Sequence, residues 1–166
     1  MDVEDDPPTR ELLPDEIDYL RKSPIAKIKT AKAHFMAKRF LDKIQAEGLM
    51  IIREIRGIEN LQGLESGAVI TCNHFNPFDT FAMHEAFLRS GVKKKKLYRV
   101  IREGNYTSFP GFYGYLMRNF YTLPLSSNKK TMHKFNEATD KLLRDGNLVL
   151  IYPEQSMWWN YRKPKP

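Results

Sequence analysis

The sequence predicts a single α/β domain with a largely parallel sheet. Short apolar runs alternate along the chain with longer segments in which apolar residues recur at helical spacing, an order typical of parallel sheets covered by helices. Two of the apolar runs, Ala68–Cys72 and Leu148–Tyr152, lead directly into polar loops. With 166 residues, of which 42% are hydrophobic, the chain is long enough to bury one sizeable core.

Residues 1–24 and 25–48 form two segments of opposite character ahead of the sheet. The first contains four prolines among acidic residues, which predicts a mobile acidic tail with at most a short helix at Asp15–Arg21. In the second, apolar residues recur at helical spacing between lysines and arginines, up to Gly48. This pattern predicts a basic amphipathic helix. Its apolar face can pack on the domain or lie on a membrane surface; the sequence favours packing and leaves both open.

Residues 49–166 supply the elements of the predicted sheet domain in turn. The expected strands are Leu49–Ile55, Ala68–Cys72, Leu97–Ile101, Phe120–Leu125 and Leu148–Tyr152. The expected helices are Asp79–Ser90, Phe109–Met117 and Lys129–Arg144. Asp79 or Thr80 is placed to cap the first of these helices, and Gly91 to end it.

The charge distribution favours a polyanionic partner. The chain has 27 bases and 20 acids, and residues 1–18 hold one of the bases and eight of the acids, which leaves 26 bases and 12 acids in the rest. Such a body attracts phosphate groups, anionic membrane surfaces or nucleic acid. Because no nucleic-acid-binding motif accompanies the charge, we predict no nucleic-acid partner. The run Lys93–Lys96 is typical of a solvated turn and would add attraction to anionic lipid.

The remaining composition narrows the setting of the protein. A lone cysteine, Cys72, fits a reducing compartment and is interpreted as buried packing, not as a nucleophile. No apolar run reaches the length of about 18 residues that a spanning helix needs. We predict a cytoplasmic protein, peripheral to a membrane, with no bound metal, because the histidines are scattered without ligand spacing. His34, His84 and His133 are predicted to be plain surface residues of helices.

Two polar loops carry the candidate chemistry. Val69–Thr80 reads Val-Ile-Thr-Cys-Asn-His-Phe-Asn-Pro-Phe-Asp-Thr, so a strand delivers His74 to a loop and Asp79 follows at a helix start. Histidine is the side chain whose ordinary pKa lies nearest neutrality, and a neighbouring carboxylate can fix its tautomer and stabilise the imidazolium. The second loop, Pro153–Met157, brings Glu154. Because ligand chemistry gathers at the carboxyl ends of parallel strands, we expect both loops to face one cleft.

These loops resemble the conserved blocks of the glycerolipid acyltransferases, the family of 1-acylglycerol-3-phosphate acyltransferase. The His-x4-Asp spacing of His74 and Asp79 resembles the first block. Leu148–Ser156, an apolar strand followed by Pro-Glu-Gln-Ser, resembles the third block, Phe-Pro-Glu-Gly-Thr-Arg. Between them, Val100–Glu103 resembles a strand ending in Lys-Glu, and Gly114–Leu116 resembles a Gly-Trp-Leu segment. With the lead-in phrase at residues 59–73, the resemblance covers about residues 49–161.

The resemblance implies an acyl transfer in which His74 deprotonates a hydroxyl of the acceptor and Asp79 supports His74. The acceptor oxygen would attack the thioester of acyl-CoA or acyl-carrier protein as co-substrate, so no bound cofactor is expected. The acceptor would be lysophospholipid-like. Backbone N–H groups near the start of the Asp79 helix are candidate donors to the oxyanion. The residues that would bind the substrate are Asn76, Pro77, Arg102, Glu103, Glu154, Gln155 and Ser156.

The chain departs from the family pattern at both arginines that usually contact the acceptor phosphate. Gln155, Ser156 and Met157 stand where the third block has Gly-Thr-Arg, and Ser126-Ser127 stands where the second block has arginine. The fourth block of the family does not follow, so we expect a chain that is truncated at its C-terminus. The alternative interpretation is a catalytically weak relative that only binds lipid or membrane.

An uncharged aromatic segment leaves a further alternative open. Gly104–Asn128 contains seven aromatic residues and one charged residue, Arg118. Such a segment is typical of core packing, but it also suits a membrane-dipping face or an acyl-chain groove. Trp158-Trp159 poses the same question, because indoles favour the lipid interface and also fill cores.

Overall fold

The computed structural model describes residues 9–74 and 76–154 of the protein. Its helices are α1 (Pro24–Ala46), α2 (Glu59–Gln62), α3 (Asp79–Arg89), α4 (Glu103–Thr107), α5 (Gly111–Asn119) and α6 (Lys129–Arg144). Its strands are β1 (Ala68–Thr71), β2 (Leu97–Ile101), β3 (Thr122–Pro124) and β4 (Leu148–Ile151). The predicted class, an α/β domain preceded by an amphipathic helix, is confirmed.

The four strands form one parallel sheet in the order β1-β4-β2-β3. In this register Thr71 lies beside Ile151, and Ile101 beside Pro124. The last of these strands along the chain therefore lies between the first and the second. All four carboxyl ends lie at the same edge of the sheet, and the polar loops predicted to carry the chemistry leave from that edge.

Helices cover both faces of the sheet because its side chains alternate between them. On one face Tyr98, Leu123 and Val149 pack against Phe135 and Leu142 of α6. On the other face Leu97, Leu148 and Leu150 pack against α3. Helix α1 then packs against α3 and α5 through its small and aliphatic residues, and a separate cluster results. Its buried members are Ala33, Ala37, Leu41, Ile44, Met50, Phe81, Leu116 and Phe120.

Helix α1 begins at Pro24, the first helical position, where proline has no intrahelical hydrogen bond to lose. Ser23 caps it by accepting a hydrogen bond from the N–H of Ala26 at 3.1 Å. In α5, Gly114 lies so close to the carbonyl of Phe109 that a Cβ atom would overlap it. This contact explains why a glycine interrupts the aromatic residues of that helix. Among the described residues, no helix is long and apolar enough to cross a bilayer.

The prediction of a mobile acidic tail is wrong for residues 9–23. Leu12 and Tyr19 are buried at 0% and 4% exposure, and no helix forms at Asp15–Arg21. The N–H of Leu12 donates to Glu103 at 2.7 Å, and the Tyr19 hydroxyl donates to the carbonyl of Pro124 at 2.8 Å. The two apolar side chains outweigh the acidic composition, and the segment covers the edge of the sheet beside β3.

The predicted strand Leu49–Ile55 is also wrong. Leu49 and Ile51 are 63% and 74% exposed, and no described strand pairs with them. The N–H groups of Leu49 and Met50 instead bond the carbonyl of Ile44, so the chain turns back on the end of α1. An apolar run forms a strand only where a partner strand is available, and here the neighbouring surface is a helix.

A buried arginine with no acidic partner lies between α1, α3 and the sheet. Arg99 of β2 is 2% exposed and donates from one terminal nitrogen to the carbonyls of Leu97 and Phe120, at 3.0 and 3.1 Å. Its other terminal nitrogen contacts Nδ1 of His84 at 2.8 Å, and no carboxylate is among its partners in the described part of the chain. Burial lowers the pKa of Arg99 to about 10, so it is still charged near neutral pH.

The prediction that His34, His84 and His133 lie on the surface holds for His133 alone. His84 is 6% exposed, and the ring of His34 lies 4.6 Å from that of Phe120. Burial and the charge of Arg99 lower the pKa of His84 to about 3 and that of His34 to about 4. Because a guanidinium only donates hydrogen bonds, Nδ1 of His84 must accept, and the neutral ring carries its proton on Nε2.

Candidate functional site

The two loops predicted to face each other leave neighbouring strands. Strand β1 ends at Thr71 and leads through Cys72 to His74; β4 ends at Ile151 and leads through Tyr152 to Glu154. Since β1 and β4 are parallel and adjacent, both loops lie at one edge of the sheet. The two loops are in direct contact there, because Glu154 bonds the backbone N–H of His74.

His74 and Asp79 form a hydrogen-bonded pair. Nδ1 of His74 lies 3.0 Å from Oδ2 of Asp79, and their side chains are 21% and 10% exposed. Asp79 is the first residue of α3, and the same Oδ2 atom accepts a hydrogen bond from the N–H of Asn76 at 2.9 Å. The expected helix cap by Asp79 is not found: Phe78 is the capping residue and makes no side-chain bond. The carboxylate is turned back toward His74 instead.

The pair fixes which nitrogen of His74 is basic. An ionised carboxylate only accepts hydrogen bonds, so Nδ1 of His74 carries a proton and donates it to Asp79. The lone pair of the neutral ring is then on Nε2, the nitrogen on the other side of the ring. This is the arrangement of a general base whose carboxylate orients it and stabilises the imidazolium.

Glu154 ties the second loop to the first. Its Oε2 atom accepts a hydrogen bond from the backbone N–H of His74 at 3.0 Å. The glutamate that the sequence assigned to substrate binding is therefore also a support of the histidine loop. A carboxylate bound to a backbone N–H forms a charge-assisted hydrogen bond, which is stronger than a neutral one.

Tyr152 packs against the imidazole and was not predicted as part of the site. Its ring centroid lies 4.5 Å from that of His74, with the two planes tilted by 34°. The Tyr152 hydroxyl is 3.2 Å from Oγ1 of Thr80, so the ring is held from α3 as well. Burial raises the pKa of Tyr152 to about 12, and the phenol is neutral beside the histidine. The one hint in the sequence is an aromatic residue at the end of a buried strand.

The turn between His74 and α3 uses its own backbone donors. The N–H of Asn76 bonds Asp79, the N–H of Phe78 bonds Oδ1 of Asn76 at 2.8 Å, and the N–H of Asp79 bonds the carbonyl of Asn76. Backbone N–H groups near the start of this helix were the expected oxyanion donors. These three are instead engaged in hydrogen bonds inside the loop. Asn76 shapes the turn, and Pro77 is exposed within it.

Glu103 has a structural role at the carboxyl end of β2. Its side chain accepts hydrogen bonds from the N–H of Leu12, the hydroxyl of Ser126 and the N–H of Ser127. These bonds attach the N-terminal segment to the sheet, and they do not support the expected contact of Glu103 with substrate. Arg102 precedes α4 at the same strand end. Gln155 and Ser156, also predicted to bind substrate, lie outside the described residues, as do Trp158-Trp159.

An apolar groove lies between α1 and α5. It has a volume of about 530 Å³ and is lined by Met36, Arg39, Phe40, Lys43 and Phe112. The ring of Phe40 lies 5.1 Å from Phe81 and 6.4 Å from Phe78, the residue next to Asp79. The sequence does not indicate this groove, because the contact between α1 and α5 joins residues that are remote along the chain.

Two other candidate chemistries find no support at this edge. Burial, together with the carboxylates of Asp79 and Glu154, raises the pKa of the Cys72 thiol, which disfavours the thiolate. No group of three or more potential metal ligands occurs among residues 9–74 and 76–154.

Comparison with known families identifies the family of the chain. The family model described as Acyltransferase matches residues 52–161, more than half of the chain. The chain belongs to the acyltransferase family. This match contains β1 to β4 and every residue of the pair and its supports, from His74 to Glu154. No curated protein sequence and no solved structure gives a significant match. The parallel sheet with flanking helices is consistent with an acyltransferase fold.

Proposed function

We propose that this acyltransferase moves a fatty acyl group from acyl-CoA or acyl-carrier protein to a hydroxyl of a lysophospholipid-like acceptor, with His74 as general base. The observation that carries the proposal is the 3.0 Å contact between Nδ1 of His74 and Asp79. This contact leaves Nε2 as the basic nitrogen, at the edge of the sheet where the loops that carry His74 and Glu154 meet.

The reaction balances with these residues and the two substrates. Nε2 of His74 takes the proton of the acceptor hydroxyl as its oxygen attacks the thioester carbonyl carbon. The tetrahedral intermediate collapses by breaking the C–S bond, and the leaving sulfur takes the proton back from the imidazolium. Asp79 stabilises the imidazolium between these steps. No protein nucleophile is required, because the acceptor hydroxyl attacks directly.

The groove between α1 and α5 supports a lipid substrate. Its apolar walls, formed by Met36, Phe40 and Phe112, suit an acyl chain, and Arg39 and Lys43 suit a phosphate group at its margin. Since Ser126 stands where the family pattern has arginine and bonds Leu12 and Glu103, the phosphate of the acceptor must be bound by other cations. We place the reaction at an anionic membrane surface in the cytoplasm.

The first experiment measures free-thiol release from palmitoyl-CoA with and without lysophosphatidate. We expect release that depends on the acceptor, and a loss on the order of 10³-fold or more in His74→Ala, because the general base is removed. His133→Ala, which changes an exposed histidine of α6, is the matched control and should keep full activity. Equal rates in the wild type and His74→Ala would contradict the role of His74. Absence of turnover with every acceptor and donor would favour the lipid-binding alternative.

Glu154 offers a second, graded test of the same site. Glu154→Gln keeps an oxygen that can accept the N–H of His74, whereas Glu154→Ala removes it. We expect kcat to fall about 10- to 100-fold in Glu154→Ala, because the base is misplaced, and to recover most of this loss in Glu154→Gln. Equal losses in both variants would instead indicate that the charge of Glu154 acts on the substrate.

A further inference from the structure

Helix α1 presents an apolar and basic surface on the side that faces away from the core. The buried residues Ala33, Ala37 and Leu41 define its inner side. On the other side Ile25, Ile28 and Phe35 are 65%, 69% and 62% exposed. These three side chains are therefore separate from the core.

Basic residues are interleaved with these apolar side chains. At 3.6 residues per turn, Lys32 and Arg39 lie within about 40° of Ile28 around α1, and the exposed Lys29 lies at the margin of this side, about 100° from Ile28. The helix has six bases and one acid, Asp42, which is already ion-paired with Lys38 at 2.8 Å. We define the outer face of α1 as Ile25, Ile28, Lys29, Lys32, Phe35 and Arg39.

We propose that the outer face of α1 is the surface by which this protein lies on an anionic lipid bilayer. A helix in the plane of a membrane interface needs large apolar residues for the acyl boundary and cations for the lipid phosphates, and this face has both with little acidic charge. The inference deepens the proposed function and rests on it for the choice of a lipid surface as partner.

The position of the groove supports the same occupant. Arg39 belongs to the outer face and also lines the groove together with Met36 and Phe40. Phe40, which lines the groove, also makes a ring contact with Phe78, the residue before Asp79. With the outer face on the bilayer, the groove lies next to the lipid.

Vesicle cosedimentation tests the apolar part of the face. With vesicles of phosphatidylglycerol and phosphatidylcholine, we expect the partition coefficient of Ile25→Ser/Ile28→Ser/Phe35→Ser to fall at least about 30-fold. Leu88→Ser is the matched control, because Leu88 is a 50% exposed apolar residue of α3, and its binding should not change. Unchanged binding of the triple variant, or an equal loss in Leu88→Ser, would overturn the proposal.

Charge variants test the basic part. Lys29→Gln and Lys32→Gln should each weaken binding to anionic vesicles about fivefold, an effect that salt removes. Lys93→Gln/Lys94→Gln changes two exposed lysines elsewhere and should have little effect; if it alone abolishes binding, the lysine run is the membrane surface and the proposal is wrong. Sedimentation velocity tests whether a second copy of the chain binds this face instead. If the protein is a dimer, and the triple substitution disrupts the dimer without loss of vesicle binding, the face belongs to a second copy.

The test separates this inference from the proposed function. His74→Ala should bind vesicles like the wild type, because His74 lies outside the outer face. The triple variant should still turn over a water-soluble short-chain acyl thioester. It should lose turnover when the acceptor is bound to vesicles. Vesicle binding through the outer face without any acyl transfer would refute the proposed function alone, whereas acyl transfer with binding that ignores the outer face would refute this inference alone.

Discussion

Two histidines near α3 show how the same type of side chain serves two purposes. His74 precedes the helix and is bonded to the carboxylate of Asp79 at its first residue. His84 lies inside the helix and faces the guanidinium of Arg99. The carboxylate of Asp79 can stabilise a protonated His74 ring. The guanidinium of Arg99 opposes protonation of the His84 ring. The sign of the partner charge therefore separates the proposed general base from a histidine that packs in the core.

The largest expected effect on activity comes from the partner of His74. Asp79→Asn keeps the size of the side chain but removes the charge and can hold His74 in the wrong tautomer. We expect kcat to fall on the order of 10³- to 10⁴-fold, by analogy with the carboxylate of catalytic triads, with a much smaller change in stability. Thiol-release kinetics and urea unfolding on the same preparations check this, and a loss that follows unfolding instead would contradict it.

The largest expected effect on stability comes from the partner of His84. Arg99→Ala leaves a cavity, and it leaves the carbonyls of Leu97 and Phe120 and Nδ1 of His84 without their donor. We expect a loss of about 3–5 kcal/mol in the free energy of unfolding, with activity per folded molecule retained. Urea unfolding measures the first, and active-site-normalised rates the second. Selective loss of kcat in a fully folded Arg99→Ala would erase the contrast between the two sites.

The pH dependence of stability sharpens the comparison further. The pKa values of His84 and His34, about 3 and about 4, lie below the value of about 6.5 for an unfolded histidine. Between these limits the unfolded chain binds more protons, so stability is complete above about pH 6.5 and is lost as the pH falls toward 4. Urea unfolding as a function of pH measures this loss.

His84→Gln provides the control for this pH effect. Glutamine keeps an oxygen to accept from Arg99 and does not titrate, so the slope of unfolding free energy between pH 6.5 and 4 should be visibly shallower than in the wild type. An unchanged slope would show that His84 does not contribute.

The smallest expected effect is at the third histidine. His133 is exposed on α6 and pairs with Glu137 at 3.3 Å across one helical turn. We expect His133→Ala to change the free energy of unfolding by no more than about 0.5 kcal/mol and to leave its pH slope unchanged. A larger effect would mean that exposure does not separate the histidines as the structure implies.

The sequence predicts best where a pattern is local. The bounds of β2 and α6 agree with those expected, because apolar spacing and the flanking polar residues define them without reference to the rest of the chain. The pairing of His74 with Asp79 was expected for the same reason, since both residues lie in one short loop and the first turn of the helix after it.

Contacts between distant residues account for what the sequence did not predict. His84 was expected on the surface because nothing near it in sequence indicates Arg99, which reaches it from the neighbouring strand. Glu103 was expected at the substrate because Val100–Glu103 resembles the family's strand ending in Lys-Glu, and nothing near it in sequence indicates its partner Leu12. Likewise the isoleucines after α1 suggest a strand, but none of the described strands pairs with this segment.

The position of β4 has a consequence for biosynthesis. Among the described strands, β1 pairs with β4 alone, so Ile70 finds its neighbour Leu150 only when the ribosome has made nearly all of the described chain. The loop with His74 therefore emerges early but receives Glu154 late, and pairings of such long sequence separation form slowly. A nascent chain interrupted before β4 therefore holds His74 in an unfinished site, because the loop that supplies Glu154 is still missing.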